Sequence, residues 1–339
     1  MHDYLFDVAV VRVAIVVGVI ITTLFYERFQ LTTGGAIVPG YLALFIPAPT
    51  FILMTLLTSY VTYYVVNSLI ARRYILYGRR KYEMEILVSL ILVTVWFGVA
   101  HLVVPFNPML VALYGIGFVI PAVIAHDVFR QGARKTYLAV LINIGLIGLF
   151  VYVFSSLNRI SPWYSGSDAR GFDVGPLAYP ADLLLPAIFV SVLAGMVIFR
   201  RLGLRTGGFV IGAYVGLMLL RPLDLLFVIV VSCLAYLFVT RILMHHMLIF
   251  GRRKLGMMIL VAAIFAWVGE IVITVTTGGT VVPWEGFNVI TLMVPALIAN
   301  DAQRQGMYRT LWGAGLTALA VFTSMNLLGA GLVYFGVMS

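Results

Sequence analysis

The chain has 339 residues, 62% of them hydrophobic and 10% charged, with a mean hydropathy of +1.07. That is more apolar sequence than one soluble core can bury, which excludes a water-soluble globular protein and leaves a polytopic membrane protein. Its 22 Lys and Arg outnumber 13 Asp and Glu, and in such a protein basic residues first of all set orientation.

In chain order, ten windows are long or apolar enough to cross, or nearly cross, a hydrocarbon core that takes roughly 17–25 residues. They are Val8–Phe25, Thr50–Ile70, Ile86–Val104, Leu110–Ile124, Thr136–Phe154, Leu183–Phe199, Leu223–Leu243, Leu255–Val275, Phe287–Ile298 and Leu311–Phe335. Two more, Ala36–Ile46 and Phe209–Leu220, are short and broken. Each follows a Thr-Gly-Gly and ends in a proline-marked turn, Pro47-Ala48-Pro49 or Arg221-Pro222.

These elements occur twice. Thr33-Gly34-Gly35, Tyr41, Pro49 and Gly78-Arg79-Arg80-Lys81 recur at one constant interval as Thr206-Gly207-Gly208, Tyr214, Pro222 and Gly251-Arg252-Arg253-Lys254. Pro121-Ala122, Asp127 and Arg130-Gln131-Gly132 recur one residue later than that interval as Pro295-Ala296, Asp301 and Arg304-Gln305-Gly306. A unit this long is a duplicated domain rather than a solenoid repeat. The expected fold is an all-α integral membrane protein of two parallel tandem repeats, about six transmembrane or half-membrane helices each. The first repeat is placed at 1–155, an extracytoplasmic linker at 156–180 and the second repeat at 181–339.

Charge decides that count. If each short segment crosses, the repeats run parallel and all basic residues except Arg12, Arg159, Arg170 and Arg221 share one side, the cytoplasm. If each dips in and out, the halves invert and the two Gly-Arg-Arg-Lys loops fall on opposite faces, which the charge rule rejects. Both termini and the Ser-, Gly-, Pro- and Asp-rich stretch Ser155–Pro180 are therefore expected outside. The N-terminus lacks a basic n-region and a small-residue cleavage site, so it does not read as a removable signal peptide. Cys233 is the single cysteine, which excludes an intrachain disulfide.

Two kinds of candidate site follow. Gly34 and Gly35 with Val38-Pro39-Gly40-Tyr41, Gly115 and Gly117 with Pro121, Gly207 and Gly208 with Tyr214, and Pro295 all interrupt apolar sequence. Freed backbone groups at membrane depth are tolerated only beside protein or a water-filled cavity, so paired breaks in two halves point to a substrate path. The competing role for these glycines is close helix packing. The second kind is basic: Arg79, Arg80, Lys81, Arg130 and Gln131, with Arg252, Arg253, Lys254, Arg304 and Gln305, would present a positive cytoplasmic face to an anionic partner or polymer. Topology and anionic headgroups account for the charge alone, but not for its identical neighbours.

Among ionisable residues in the windows, Arg12, His101 and Glu270 have no counterpart in the other repeat. Asp127 and Asp301 do, each three residues before an arginine, and a structural cap or ion pair is the favoured role. His245-His246 has no metal-ligand spacing around it. No phosphate loop, dinucleotide fingerprint or H-E-x-x-H is present, so no catalytic residue, cofactor, metal or nucleic-acid partner is expected.

Val38-Pro39-Gly40-Tyr41, Ile75-Leu76-Tyr77-Gly78-Arg79-Arg80-Lys81, Val104-Pro105-Phe106, Gly115-Ile116-Gly117 and Pro121 resemble the markers of the PgsC/CapC membrane subunit of poly-γ-glutamate synthase. Val294-Pro295-Ala296-Leu297-Ile298-Ala299-Asn300 and Gln303-Arg304-Gln305-Gly306 resemble its final motif. Members are about one repeat long, so the chain is similar to two family units fused. The resemblance implies a multi-pass subunit of the bacterial cytoplasmic membrane. Its implied partners are a cytoplasmic, Mur-ligase-like, ATP-dependent amide ligase (PgsB/CapB type), a membrane-anchored extracellular subunit (PgsA/CapA type), the lipid bilayer and the glutamate polymer. The halves differ: Ile211-Gly212-Ala213-Tyr214 replaces Val-Pro-Gly-Tyr, Arg200 stands where the first half has Glu27, and Phe129 replaces the first Gln of Gln-Arg-Gln-Gly. Two other readings stay open, a self-sufficient secondary transporter of a small anion and a membrane enzyme using His101 or Glu270.

Overall fold

The computed structural model describes residues 8–76, 78–103, 117–160, 177–247, 251–278, 283–284 and 290–334. These residues are helical with connecting turns, and no strand occurs among them. The chain divides into two compact units, Met1–Arg170 and Gly171–Ser339.

In the first unit, α1 (Val8–Phe29) leads through Thr33-Gly34-Gly35 to the six-residue α2 (Val38–Ala43). There follow α3 (Pro49–Tyr64), α4 (Gly78–Val103), α5 (Ile120–Gln131) and α6 (Ala133–Ile160). Pro39, Pro49 and Pro121 stand at the first positions of α2, α3 and α5, where a missing N–H costs nothing and a fixed φ favours the helix. α1, α2 and α6 pack as one group, α3, α4 and α5 as another, and α5 meets α6 between them.

Gly40 of α2 lies against the middle of α1, where a Cβ on Gly40 would stand 3.1 Å from Ala14 O and 3.2 Å from Gly18 Cα. Ile46 then packs on Gly148 of α6 so closely that no Cβ fits there. The stretch from Thr33 to Pro49 thus climbs beside α1 and α6 as a broken helical segment.

The second unit repeats this layout with α7 (Leu184–Leu202), α8 (Ile211–Leu217), α9 (Pro222–Leu237), α10 (Arg252–Thr276), α11 (Ile290–Gln305) and α12 (Met307–Tyr334). α7, α8 and α12 form one group, α9, α10 and α11 the other. Residues expected in the linker belong to this unit: Ala178 N–H donates to Leu217 C=O at 2.9 Å, and Tyr179 OH donates to Ala213 C=O at 2.7 Å. Burial pushes the Tyr179 hydroxyl well above its ordinary pKa. A latch without counterpart in the first half closes the far end of α9. Asp224 takes Trp284 N–H at 2.9 Å and Arg221 Nε at 2.6 Å, and the Trp284 ring is fully buried.

Seven helical spans among the described residues are long and apolar enough to cross a membrane: Val10–Phe29, Pro49–Ile70, Ala133–Leu157, Ala181–Leu202, Pro222–His246, Arg253–Thr276 and Met307–Tyr334. Two expected windows, Leu110–Ile124 and Phe287–Ile298, begin outside the described residues, and the described helices Ile120–Gln131 and Ile290–Gln305 run past their expected ends. Hydropathy ends a window at the first charge, whereas these helices run on through Asp127 and Asp301, because both carboxylates have partners inside the fold.

Hydropathy also hides a second feature. α3 and α9 each end in a π-helical turn at the same place in the repeat, Val65–Ile70 and Phe238–Leu243, the second closed by the single turn Met244–His246. Ala71 N–H reaches back to Val66 C=O at 2.9 Å, the wider i to i+5 bond. In both, a polar side chain bonds the tyrosine carbonyl one turn earlier: Asn67 Nδ2 to Tyr63 at 2.8 Å and Thr240 Oγ1 to Tyr236 at 2.5 Å.

Candidate functional site

The repeated motifs converge at the end of each unit where the basic residues lie. After α1 the backbone turns sharply, with positive φ at Gly34 (77°) and Gly35 (104°), and Gly207 (79°) and Gly208 (134°) repeat it after α7. A Cβ on Gly34 would stand 2.7 Å from Ile124 Cγ1 on α5, and one on Gly207 would stand 3.1 Å from the matching Ile298. Conformation and closeness both select glycine here. Thr33 Oγ1 and Thr206 Oγ1 each donate to the glycine carbonyl two residues on, both at 3.3 Å.

Arg-Gln-Gly closes over this turn. Gln131 Oε1 accepts Thr32 N–H at 2.9 Å, while its Nε2 donates to Thr32 C=O at 2.5 Å and to Thr136 Oγ1 at 3.0 Å. Gln305 does the same in the second unit, to Arg205 N–H and C=O at 2.8 Å and to Thr310 Oγ1 at 2.9 Å. One amide thus satisfies a donor and an acceptor of the same backbone residue, which no charged side chain could do. Asp127, buried, accepts Gly34 N–H at 2.9 Å. Asp301 instead faces Arg205 Nη1 at 3.8 Å. Of the structural cap or ion pair expected from sequence, Asp127 caps the Thr-Gly-Gly turn and Asp301 pairs with the arginine just before it. Gly132 and Gly306 end α5 and α11 at φ 89°.

The two Gly-Arg-Arg-Lys runs begin α4 and α10. Lys81 and Lys254 turn inward and are buried. Lys81 lies over the Phe129 ring, and Lys254 Nζ donates to Gln303 Oε1 at 2.6 Å. Phe129 and Gln303 are repeat equivalents, so the substitution noted in sequence is the partner of a buried lysine in each unit, a π face in one and an amide in the other. Arg79 Nε pairs with Glu83 at 2.8 Å. Arg80, Arg130, Arg253 and Arg304 are exposed, and Arg252 opens α10.

The broken-segment candidates divide. Pro39, Gly40 and Tyr41 are buried within α2, and Gly117 faces Tyr41, whose hydroxyl would be 3.0 Å from an added Cβ. Tyr214 is buried in α8. Pro121 starts α5, whereas its mate Pro295 lies inside α11, one turn from its start, where it cannot donate to the helical ladder. Gly115 lies outside the described residues, as does the side chain of His101. No cluster of His, Cys, Asp or Glu able to hold a metal occurs among the described residues.

Sequence reasoning missed one pair. His126 Nδ1 on α5 lies 2.9 Å from Oε2 of Glu85, a fully buried carboxylate on α4. Glu85 sits one residue before the apolar window, and neither residue is repeated, so no motif drew attention to them.

A family model described as "Capsule biosynthesis CapC" matches residues 17–137 and again 190–311. The "PGA biosynthesis protein CapC" of Bacillus subtilis (strain 168) is 32% identical over 142 residues, 42% of this chain and 93% of that protein. The "Capsule biosynthesis protein CapC" of Bacillus anthracis is 38% identical over 124 residues, 37% of this chain and 81% of that protein. No solved structure matches. Each half of the chain thus carries one match, each match spans the Thr-Gly-Gly turn and the Arg-Gln-Gly clamp that closes it, and the chain belongs to the capsule-biosynthesis CapC family as a tandem of two family units.

Proposed function

We propose that this multi-pass membrane protein of capsule or poly-γ-glutamate biosynthesis is the non-catalytic transmembrane subunit of the polymer's synthesis and export complex. It anchors a cytoplasmic ATP-dependent ligase of the PgsB/CapB type, works beside a membrane-anchored PgsA/CapA-type subunit, and contributes to the exit path of the polyanion. The observation that carries the reading is the duplicated basic end. Arg80 and Arg130 in the first unit, and Arg253 and Arg304 in the second, are exposed around a clamp made by an equivalent glutamine and threonine in both matches. Clamp and buried lysine hold the loops rigid, so the exposed guanidiniums stand on a fixed frame, which suits bidentate recognition of carboxylates.

Co-purification tests this. Replacing Arg80 and Arg130 with Gln removes two exposed charges without touching Lys81 or Gln131. Many other basic residues keep orientation unchanged. Ligase recovery with the chain should fall several-fold and become more salt-sensitive, since exposed attractions are screened over about 10 Å at 0.1 M salt. Undiminished recovery and polymer yield would reduce these arginines to topology signals. Uptake of a small anion by the pure chain in liposomes would favour a transporter instead.

A further inference from the structure

Glu85 is fully buried, and only one of its carboxylate oxygens has a partner. Oε2 meets His126 Nδ1 at 2.9 Å, whereas Oε1 has no hydrogen-bond partner. One turn further along α4, Ser89 is also fully buried, with an Oγ equally unpartnered. At 1.5 Å per residue Glu85 stands about 10 Å along the helix, inside the apolar part of the unit. His126 connects this pair to the outside, its side chain 30% exposed and its ring edge-on to Tyr82 at 5.1 Å.

The charged surroundings are few. On α4, Lys81 lies one turn nearer the basic end, and Glu83 is held by Arg79. On α5, Asp127 is committed to Gly34 and Arg130 is exposed. α3 and its π-turn, which also pack on α4, contain no Asp, Glu, Lys, Arg or His.

The second unit supplies an internal control. At the equivalent positions it carries Met258, Ala262 and Asn300, with Met258 and Ala262 fully buried in the same packing. The fold therefore needs neither charge here. Burying a carboxylate is costly, and exchanging a buried ion pair for apolar residues is often neutral or stabilising. An ionisable pair kept in the apolar packing of one unit, with two buried polar atoms unmatched, points to a ligand that is small and protic.

We propose that Glu85 and His126 form a proton-binding site peculiar to the first unit, loaded from the basic end through His126. A proton from water binds the exposed nitrogen of the imidazole. Loss of the Nδ1 proton to Glu85 Oε2 then leaves a neutral ring and a neutral carboxyl. Release reverses the order, and only N–H and O–H bonds change. With one proton the pair is net neutral wherever the proton sits. Without it the pair carries −1, which Lys81 one turn away offsets. Ser89 and a water beside Oε1 complete the inner end.

The test uses the full chain purified in detergent and treated with dicyclohexylcarbodiimide, which adds to protonated carboxyls in apolar surroundings. Peptide mass spectrometry should find an adduct on Glu85 that declines as pH rises, approaching about tenfold per pH unit once the carboxylate dominates. His126→Asn should label more strongly at a given pH, because the carboxylate has lost its cationic partner. The triple change Glu85→Met, Ser89→Ala and His126→Asn installs the second unit's own residues. It should abolish that adduct while keeping membrane insertion and a thermal midpoint at or above the original. No adduct on Glu85 at any pH, or labelling indifferent to pH, would overturn the site. So would collapse of the triple variant, which would make the pair a structural brace.

Discussion

Gln131 shows how much one side chain holds. Its amide occupies both hydrogen-bonding groups of Thr32, so Gln131→Leu leaves an N–H and a C=O without partners at a half-buried turn. Water reaches part of that turn, which limits the loss to about 1–3 kcal/mol. Gly34→Ala adds two costs: about 1–2 kcal/mol for a β-carbon in the left-handed region, and a 2.7 Å approach to Ile124 Cγ1. Gly78, also at positive φ (59°), has nothing within 4 Å of an added Cβ. Thermal unfolding in detergent should therefore rank Gly34→Ala well below Gly78→Ala. Equal midpoints would remove the Ile124 contact from the account. The recurrence of Thr-Gly-Gly and Arg-Gln-Gly was legible in sequence, but their partnership was not. Residues 99 positions apart leave no periodic trace, and a glutamine beside an arginine reads as part of the charge.

Among the elements, α2 is the one whose sequence invited two explanations. Gly40 sits inside a helix rather than at its break, and what it provides is the approach to Gly18 of α1. In the second unit Ala213 and Ser191 occupy these places, with Ser191 Oγ donating to Phe209 C=O at 2.7 Å. Gly40→Leu should force α1 from α2 and lower stability by about 1–3 kcal/mol, as overpacked cores do. Polymer output should fall with it while insertion persists. Pro39→Ala in the first turn of the same helix should cost less than about 1 kcal/mol, because proline is favoured there without being required. A larger effect of Pro39→Ala than of Gly40→Leu, in thermal midpoint or yield, would return the function of this segment to its proline. The π-turns were invisible to hydropathy because widening a helix by one residue leaves composition unchanged. Such turns often mark functional positions, and two at matched sites make this end of α3 and α9 part of the common design.

At the scale of the whole chain, the charge rule proposes that both Gly-Arg-Arg-Lys loops lie on the cytoplasmic side, and labelling can check it. A cysteine at Ser165 should react with an impermeant thiol reagent in intact cells, and one at Ala71 should be protected, because basic loops stay inside. The reverse pattern would invert the assignment. Duplication was the most readable property of the sequence, since it needs only comparison of the chain with itself. Divergence is harder to interpret from sequence: Phe129 in place of Gln left the equivalence of the halves open, and its ring lies under Lys81.

The clamps also bear on how such a chain is made. Each joins residues about a hundred positions apart, 99 in the first unit and 100 in the second, so neither can close until the helix that carries its glutamine has emerged from the ribosome. Until then Thr32 or Arg205 keeps an open N–H and C=O at the membrane edge. Closure comes once every described helix of that unit but its last is present. Domains generally fold as units in the order they are synthesised, and each glutamine is placed to act as a checkpoint of assembly: a copy truncated before it remains unlatched and exposed to proteolysis, while one that reaches it is sealed before the next helix begins.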